Sequence, residues 1–259
     1  KDLSYTIDFD RLEALASDPK NTLLILCNPH NPVGRVWTRQ ELLMVSQICL
    51  RHHVFVISDE IHCDLIMPGH TFTSFASLSE ENAANTMTCI APSKTFNLAG
   101  LEASCVILPD RERRHQLKAE MSRVSYEGRV NALGYKAMEA AYTRCDQWLS
   151  QAIQAIHSNH RLLTEFLKEH CPDVKAAPLE GTYLQWLDLR ALGWTPKEQE
   201  SIMEEADLFF DEGGMFGPEG EGFERMNLAC PQTVKLDGLG RFSQAVNRRK
   251  RGGGDDHRG

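Results

Sequence analysis

The chain has 259 residues, 42% of them hydrophobic and 25% charged, a composition typical of a globular protein with a sizeable buried core. Its 18 glycines and 11 prolines exclude collagen-like and largely disordered classes. The longest apolar run, Leu23 to Cys27, is far too short to cross a membrane, and the net charge of −8 argues against a broad nucleic-acid-binding surface. We therefore expect neither a membrane nor a nucleic-acid partner.

The two ends of the sequence and its cysteines indicate the extent of the chain and its cellular compartment. It starts at Lys1 without a methionine or a hydrophobic signal segment, and we expect it to be a piece of a longer chain. Residues 248–259, basic and then glycine-rich, are expected to form a disordered tail. No Cys-x-x-Cys pair occurs among the eight cysteines, so we expect buried thiols in a reducing, cytoplasmic compartment and no metal site.

Residues 1–130 alternate strand-length apolar runs with helical patterns. A helix is predicted after Thr38, which forms a capping box with Glu41 and precedes apolar residues at three- to four-residue spacing. Four runs predict strands, each ending at a polar or proline-containing turn: Thr22–Cys27, Val54–Ile57, Thr86–Ile90 and Glu102–Leu108. Continuous apolar strands separated by helices predict a mostly parallel sheet that is covered on both faces.

Three polar side chains follow these predicted strands. Asn31, Asp59 and Lys94 each come shortly after a strand, and ligands bind beyond the carboxyl ends of parallel strands. A lone lysine is usually a surface residue, but a reactive lysine needs a partly desolvated pocket with suitable neighbours. A carboxylate such as Asp59 can hold the ring nitrogen of an electron-sink cofactor in its protonated form. We therefore expect these three side chains to converge on one crevice.

The second half of the chain predicts a long helix and a smaller unit. Residues 131–170 read as one connecting helix, and residues 171–247 combine strands at 181–187 and 225–229 with two helices. Thr195, Pro196 and Glu198 indicate the start of the first of these helices, and the second runs to about Asn247. The glycine-rich loop 213–222 is either a mobile loop near a site or a plain connection.

Arg225 is the candidate for binding an anion in this second unit. Its guanidinium fork suits bidentate capture of a carboxylate, although a surface ion pair explains the local sequence equally well. It alternates with the apolar Met226 and so shares a strand face with Asn227.

Four ordered motifs carry a resemblance to a known family. These are Asn28-Pro29-His30-Asn31-Pro32-Val33-Gly34, Ser58-Asp59-Glu60-Ile61-His62, Ser93-Lys94-Thr95-Phe96-Asn97-Leu98-Ala99-Gly100 and Arg225-Met226-Asn227-Leu228. In this order they resemble the fold-type I pyridoxal-phosphate enzymes of the class I/II aminotransferase superfamily, over residues 1 to about 247. More narrowly, Asp-Glu-Ile-His, Ala-Pro-Ser-Lys and Gly213-Gly214-Met215-Phe216-Gly217 resemble the cystathionine β-lyase (C–S lyase) branch.

The resemblance implies a role for each matching residue. Lys94 would hold pyridoxal 5′-phosphate covalently and then move the substrate Cα proton. Asp59 would pair with the ring nitrogen of the cofactor, Asn31 would hydrogen-bond its phenolic oxygen, and Arg225 would bind the substrate α-carboxylate.

Two further positions and two departures complete what the resemblance implies. His62 stands where many aminotransferases carry a tyrosine, which favours the lyase branch, and Ser93 is a candidate phosphate contact. Ala91 and Glu102 replace a serine and an arginine that many aminotransferases use to bind the phosphate. The N-terminal segment that would supply a phosphate-binding turn and a ring-stacking aromatic is absent from this sequence.

The expected fold is α/β: a mostly parallel, three-layer pyridoxal-phosphate-transferase-like large domain, incomplete at its N-terminus, with a smaller α+β C-terminal domain. The expected activity is C–S β-lysis of cystathionine or a related cysteine S-conjugate, a small amino-acid substrate, by a protein that is a homodimer at full length. Two alternatives remain: an aminotransferase that moves an amino group to a 2-oxo acid, and a truncated, non-catalytic cofactor-binding or interaction protein.

Overall fold

A computed structural model describes residues 3–126 and 128–252 of the chain. The strands are β1 Leu23–Cys27, β2 Phe55–Asp59, β3 Thr86–Ile90, β4 Cys105–Ile107, β5 Lys175–Ala176, β6 Leu184–Asp188, β7 Asp211–Glu212 and β8 Phe223–Asn227. The helices are α1 Phe9–Ala16, α2 Arg39–Arg51, α3 Glu80–Ala84, α4 Pro92–Thr95, α5 Arg111–Arg123, α6 Ala132–Arg144, α7 Asp146–His170, α8 Pro196–Glu205 and α9 Gln232–Gly252.

The first four strands form one sheet in the order β1-β2-β3-β4. β1, β2 and β3 run parallel, and β4 is antiparallel at the edge, as in the predicted mostly parallel sheet. The register pairs Cys27 with Asp59 and Asp59 with Cys89. The carboxyl ends of the three parallel strands therefore lie side by side, with Asp59 in the central position.

Helix α2 forms as predicted and covers one face of this sheet. The Thr38 side chain accepts a hydrogen bond from the Glu41 N–H while the Glu41 carboxylate accepts one from the Thr38 N–H. Along the helix, Leu42, Val45 and Cys49 are at most 1% exposed and belong to the same apolar cluster as strand residues such as Val56. Burying this stripe drives the packing of the helix onto the sheet.

The opposite face of the sheet is only partly covered in the part of the chain that the structure describes. Leu23 and Ile25 on β1 are 50% and 68% exposed. The continuous apolar strands had led us to expect a sheet that is buried on both faces. At Phe55 the guanidinium carbon of Arg113, from α5, lies 4.4 Å from the centre of the ring. In parallel sheets of this kind such apolar side chains are normally buried.

The predicted single helix over residues 131–170 is two helices, and this part of the prediction is wrong. α6 starts where the Asn131 side chain accepts a hydrogen bond from the Gly134 N–H, and the chain leaves helical geometry at Cys145 before α7 begins. The 25-residue helix α7 then buries Ile156, Leu163 and Leu167 in the second core.

The second unit is built on an antiparallel sheet in the order β5-β6-β8-β7. Its core contains Leu163, Leu187 and Phe242, all with no exposed surface. α8 begins with the predicted capping box between Thr195 and Glu198. α9 continues to Gly252 rather than ending near residue 247, so residues 248–252 are helical, and the rest of the predicted tail lies outside the described residues. The domain boundaries at residues 130, 170 and 247 stay predictions.

Three wider findings concern membrane helices, thiols and metal-binding groups. Along 3–126 and 128–252, no helix combines the length and the apolar character that crossing a bilayer requires. The eight cysteines all fall within these ranges and none forms a disulfide, but only Cys49 and Cys171 are buried and the others are half-buried. The same ranges contain no group of three His, Cys, Asp or Glu side chains arranged to hold a metal ion.

Candidate active site

The carboxyl edge of the first sheet places Asp59 between two thiols. Cys27 and Cys89 are its register partners on β1 and β3, and the half-buried Asp59 carboxylate accepts a hydrogen bond from the Ile61 N–H at 3.3 Å. Burial is the larger cause, and the negative charge of this carboxylate the smaller, by which the pKa of both thiols is raised. Both thiols therefore stay protonated at neutral pH, and Asp59 is the group at this edge that can carry a negative charge.

The loop after β1 is held rigidly by Asn28, which is fully buried. Its Oδ1 accepts a hydrogen bond from the Trp37 N–H at 3.1 Å, and its Nδ2 donates to the Thr73 carbonyl at 3.1 Å. The loop then turns through the pairing of His30 with Arg35. This framework presents the half-buried Asn31 side chain beyond the end of β1.

Arg225 is held on three sides. Its Nη1 donates to Asn31 Oδ1 at 2.9 Å, and its Nε and Nη2 both donate to Asp211 Oδ2, at 3.0 and 2.6 Å. The Phe216 ring covers one face, with its centre 4.8 Å from the guanidinium carbon. The Arg225 side chain is only 16% exposed. It does form an ion pair, but one set against the Asn31 loop rather than on an open surface.

Lys94 lies in the short helix α4, directly after β3. The neighbouring Thr95 is buried, and its Oγ1 donates a hydrogen bond to Asp64 Oδ2 at 3.0 Å. This contact ties the helix that carries Lys94 to the segment that carries His62. Lys94 itself is half-buried, so its amine is partly removed from water.

His62 is 2% exposed and stays uncharged near neutral pH. Burial, with a smaller contribution from the positive charges of Lys94 and Arg225, lowers its pKa to about 4. The ring packs edge-on against Tyr183, with 5.7 Å between ring centres, and Nδ1 has no hydrogen-bond partner among the described residues. The site therefore contains a neutral imidazole with one uncommitted nitrogen.

Glu60, between Asp59 and His62, supports this segment from within the core. Its Oε1 accepts hydrogen bonds from Ser58 Oγ, Ser74 Oγ and the Phe75 N–H, at 2.9 to 3.1 Å. Burial raises its pKa above the ordinary value despite these bonds. Its three hydrogen bonds fix the path of the chain between the two candidate residues.

The structure brings most of the predicted residues together. Arg225 touches Asn31 directly and, with Lys94, lies close enough to His62 to lower its pKa. Asp59 connects to this group through Cys27, whose thiol pKa is influenced by the Asp59 charge and by a hydrogen bond with the Asn31 backbone. Ser93 is half-buried in α4, and no hydrogen bond joins its hydroxyl to the other five candidates in the described residues.

Four residues of the site were missed by the sequence analysis: Tyr183, Asp211, Phe216 and Asp64. Tyr183 had no signal in the sequence; in the structure it follows the buried Thr182, a β-branched residue at φ +70°, a backbone strain that is visible only after folding. The glycine-rich loop 213–222 contains the two short 3₁₀ turns Gly213–Phe216 and Pro218–Gly220. Through Phe216 this loop forms a wall of the site rather than a plain connection.

Residues 2–239 match the family "Aminotransferase class I and II". The chain belongs to this family. The match spans both sheets and every candidate residue, and it confirms the resemblance stated from the four motifs.

One curated relative and two solved structures are similar to this chain over nearly all of its length. The chain is 45% identical over 248 residues to "Cystathionine beta-lyase PatB" of Bacillus subtilis, covering 95% of this chain and 64% of that one. Cystalysin from Treponema denticola, solved with pyridoxal 5′-phosphate, matches at a TM-score of 0.92 and 46% identity over 96% of this chain and 63% of that one. The pyridoxal-phosphate-bound C–S lyase of Staphylococcus hominis matches at a TM-score of 0.86 and 30% identity, over 95% and 62%.

These matches establish the fold and also its extent. The α/β architecture is that of the pyridoxal-phosphate-transferase enzymes to which the solved structures belong. The chain spans less than two thirds of the length of each of these three relatives, at 64%, 63% and 62%.

Proposed function

We propose that the complete protein containing this chain is a pyridoxal-phosphate-dependent C–S β-lyase. It cleaves cystathionine or a related cysteine S-conjugate, with water, to a thiol, pyruvate and ammonia. The observation that carries the proposal is the neutral, buried His62 beside Lys94 and Arg225. The names of PatB and of the S. hominis C–S lyase support it.

The residues present suit pyridoxal 5′-phosphate chemically. The Asp59 carboxylate is the partner that a protonated ring nitrogen needs, and Lys94 supplies the amine. Asn31 Oδ1 is occupied by Arg225, which leaves the Nδ2 hydrogens of the same amide for a phenolic oxygen. The buried, unpartnered Nδ1 of His62 is a second uncommitted polar atom in the site. Ser93 stays a candidate for the phosphate.

Each side chain then has a defined task in the reaction. When bound, the cofactor supplies an electron sink for the bond that breaks at Cα. Lys94 Nζ removes the Cα proton, and Asp59 keeps the proton on the ring nitrogen. Arg225 holds the substrate α-carboxylate and so orients the Cα–H bond. His62, being neutral, adds no competing charge beside Lys94 and Arg225.

Aminotransfer is the second candidate, because the family match itself is to aminotransferases. Both reactions begin with removal of the same Cα proton by Lys94. They differ in whether a 2-oxo acid is needed for turnover, which makes that requirement the discriminating observation. A non-catalytic cofactor-binding or interaction protein is the third candidate.

We also propose that the complete protein is a cytoplasmic homodimer with no nucleic-acid partner. The net charge of −8 and the eight unbridged cysteines support this proposal. So do Leu133 and Tyr135 on α6, which are 73% and 62% exposed and available to a protein surface. Size-exclusion chromatography with light scattering on the complete protein tests the stoichiometry.

Pyruvate release tests the lyase directly. The complete protein with pyridoxal 5′-phosphate and cystathionine is expected to release pyruvate without an added 2-oxo acid. Lys94→Ala is expected to abolish this release and the cofactor absorbance band of the covalent adduct. Lys136→Ala, at an exposed lysine paired with Glu139, is the matched control and retains both. Turnover only in the presence of a 2-oxo acid establishes the aminotransferase instead, and binding without turnover establishes the third candidate.

A further inference from the structure

Asp211 is a fixed counter-ion for Arg225. The two residues are direct partners in the antiparallel pairing of β7 with β8, so their side chains share one face of the sheet. Asp211 Oδ2 accepts from both Nε and Nη2 of the guanidinium. Because the backbone register sets this pairing, the carboxylate cannot move far from Arg225.

The contacts of Arg225 leave one edge for a ligand. The side edge, formed by Nε and Nη2, is occupied by Asp211, and one Nη1 hydrogen is directed to Asn31. Phe216 covers a face of the guanidinium. The end edge, formed by Nη1 and Nη2, retains donors for a single carboxylate.

The charge around this edge is unfavourable for a substrate side chain that carries a net negative charge. Asp211 already neutralises Arg225, and two other arginines of the described residues are engaged elsewhere. Arg190 is bound by Asp188, and Arg35 is bound by Glu41 and Glu180. An additional acidic group on a ligand would meet the negative charge of Asp211 without gaining one of these arginines.

We propose that Asp211 is a specificity-determining residue that selects amino acids whose side chain carries no net negative charge and disfavours acidic amino acids such as aspartate. The inference rests on the proposed function, because it takes Arg225 as the site of the substrate α-carboxylate. It extends that function to the substrate class: the side chain of the substrate ends in a group without net negative charge.

Equilibrium binding of two unreactive probes tests the proposal. 2-Aminoisobutyrate and α-methylaspartate both lack a Cα proton and differ by one side-chain carboxylate. We expect the complete holoenzyme to bind α-methylaspartate more weakly in isothermal titration calorimetry. Asp211→Asn keeps an acceptor for Arg225 and removes the charge, so the Kd of α-methylaspartate divided by that of 2-aminoisobutyrate is expected to fall. The fall is limited to about tenfold because Asp211 is half-exposed and solvent screens its charge.

Asp237→Asn is the matched control. Asp237 pairs with the same edge of Arg241 on α9, outside the candidate site, and its removal is expected to leave the ratio within about twofold. Asp211→Ser serves as a second variant if Asp211→Asn does not fold. An unchanged ratio in a folded Asp211 variant, or an equal shift in Asp237→Asn, overturns the proposal. Absence of pyruvate from cystathionine refutes the lyase assignment while leaving this binding ratio measurable.

Discussion

Arg225 Nη1 donates a hydrogen bond to Asn31 Oδ1 at 2.9 Å, across 194 residues of sequence. The contact joins the loop that follows the first strand of the parallel sheet to the central antiparallel strand β8. Through it, the residue proposed to orient the substrate is in direct contact with a residue proposed to bind the cofactor. The candidate site therefore depends on the two sheets keeping their relative position.

Arg225→Lys is expected to raise the KM for the amino-acid substrate tenfold or more. Lysine keeps the charge but cannot present a planar fork to Asn31, Asp211 and a carboxylate at once. Steady-state kinetics of the complete protein check this, with Arg241→Lys on α9 as the control. Equal KM values for the variant and the wild type would contradict the proposed carboxylate site.

Thr95→Val is expected to destabilise the protein and to alter the environment of Lys94. The substitution is nearly isosteric, but it removes the hydrogen bond to Asp64 Oδ2 and leaves a partly buried acceptor unpaired, a cost of about 1–3 kcal/mol. Denaturant unfolding and the cofactor absorbance spectrum of the holoenzyme are the measurements. Thr95→Ser retains the hydroxyl and is expected to restore the spectrum. A wild-type spectrum in Thr95→Val would show that this bond does not position Lys94.

His62→Gln is expected to reduce the loss of stability at acid pH. The folded protein keeps His62 unprotonated down to a pKa of about 4, whereas the unfolded chain binds a proton below about 6.5. Protonation therefore favours the unfolded state as the pH falls through this window, by up to on the order of 3 kcal/mol. Free energies of unfolding at pH 7.5 and 5 check this, with the exposed His70→Gln as control. The same acid loss in both variants and the wild type would be inconsistent with a buried neutral His62.

Glu224→Gln is expected to stabilise the protein above neutral pH. Glu224 is 1% exposed. Burial, with a smaller contribution from the negative charges of Glu212 and Asp211, raises its pKa to about 7 despite a hydrogen bond from Gln199. The folded state then binds more protons than the unfolded state between about pH 4.5 and 7, so stability falls as the pH rises through this window. The gain of the variant at pH 8 is up to on the order of 3 kcal/mol and vanishes near pH 4.5.

Thermal or denaturant unfolding at the two pH values measures this difference. The exposed Glu204→Gln is expected to follow the wild type at both. If Glu224→Gln is no more stable than the wild type at pH 8, ionisation of the buried Glu224 carboxyl does not destabilise the folded protein.

Local patterns in the sequence were sufficient for much of the first sheet and for the starts of helices α2 and α8. The apolar runs at β1, β2 and β3 and the capping boxes at Thr38 and Thr195 are set by residues within a few positions of each other. Asp59 could be assigned to the carboxyl edge because parallel strands end side by side. The division between α6 and α7 at Cys145 was not predicted, because the helical pattern continues across it and Cys145 carries no breaker signal.

The sequence by itself determined which chemical groups the site has: an amine at Lys94, a carboxylate at Asp59 and a guanidinium at Arg225. Only the tertiary structure decided their states and partners. Asp211 binds Arg225 because of the β7–β8 register, and His62 is neutral because packing removes water from it beside two cations. Hydrogen bonding and ionisation depend on distance and burial, and residues far apart in sequence acquire both only when the chain folds.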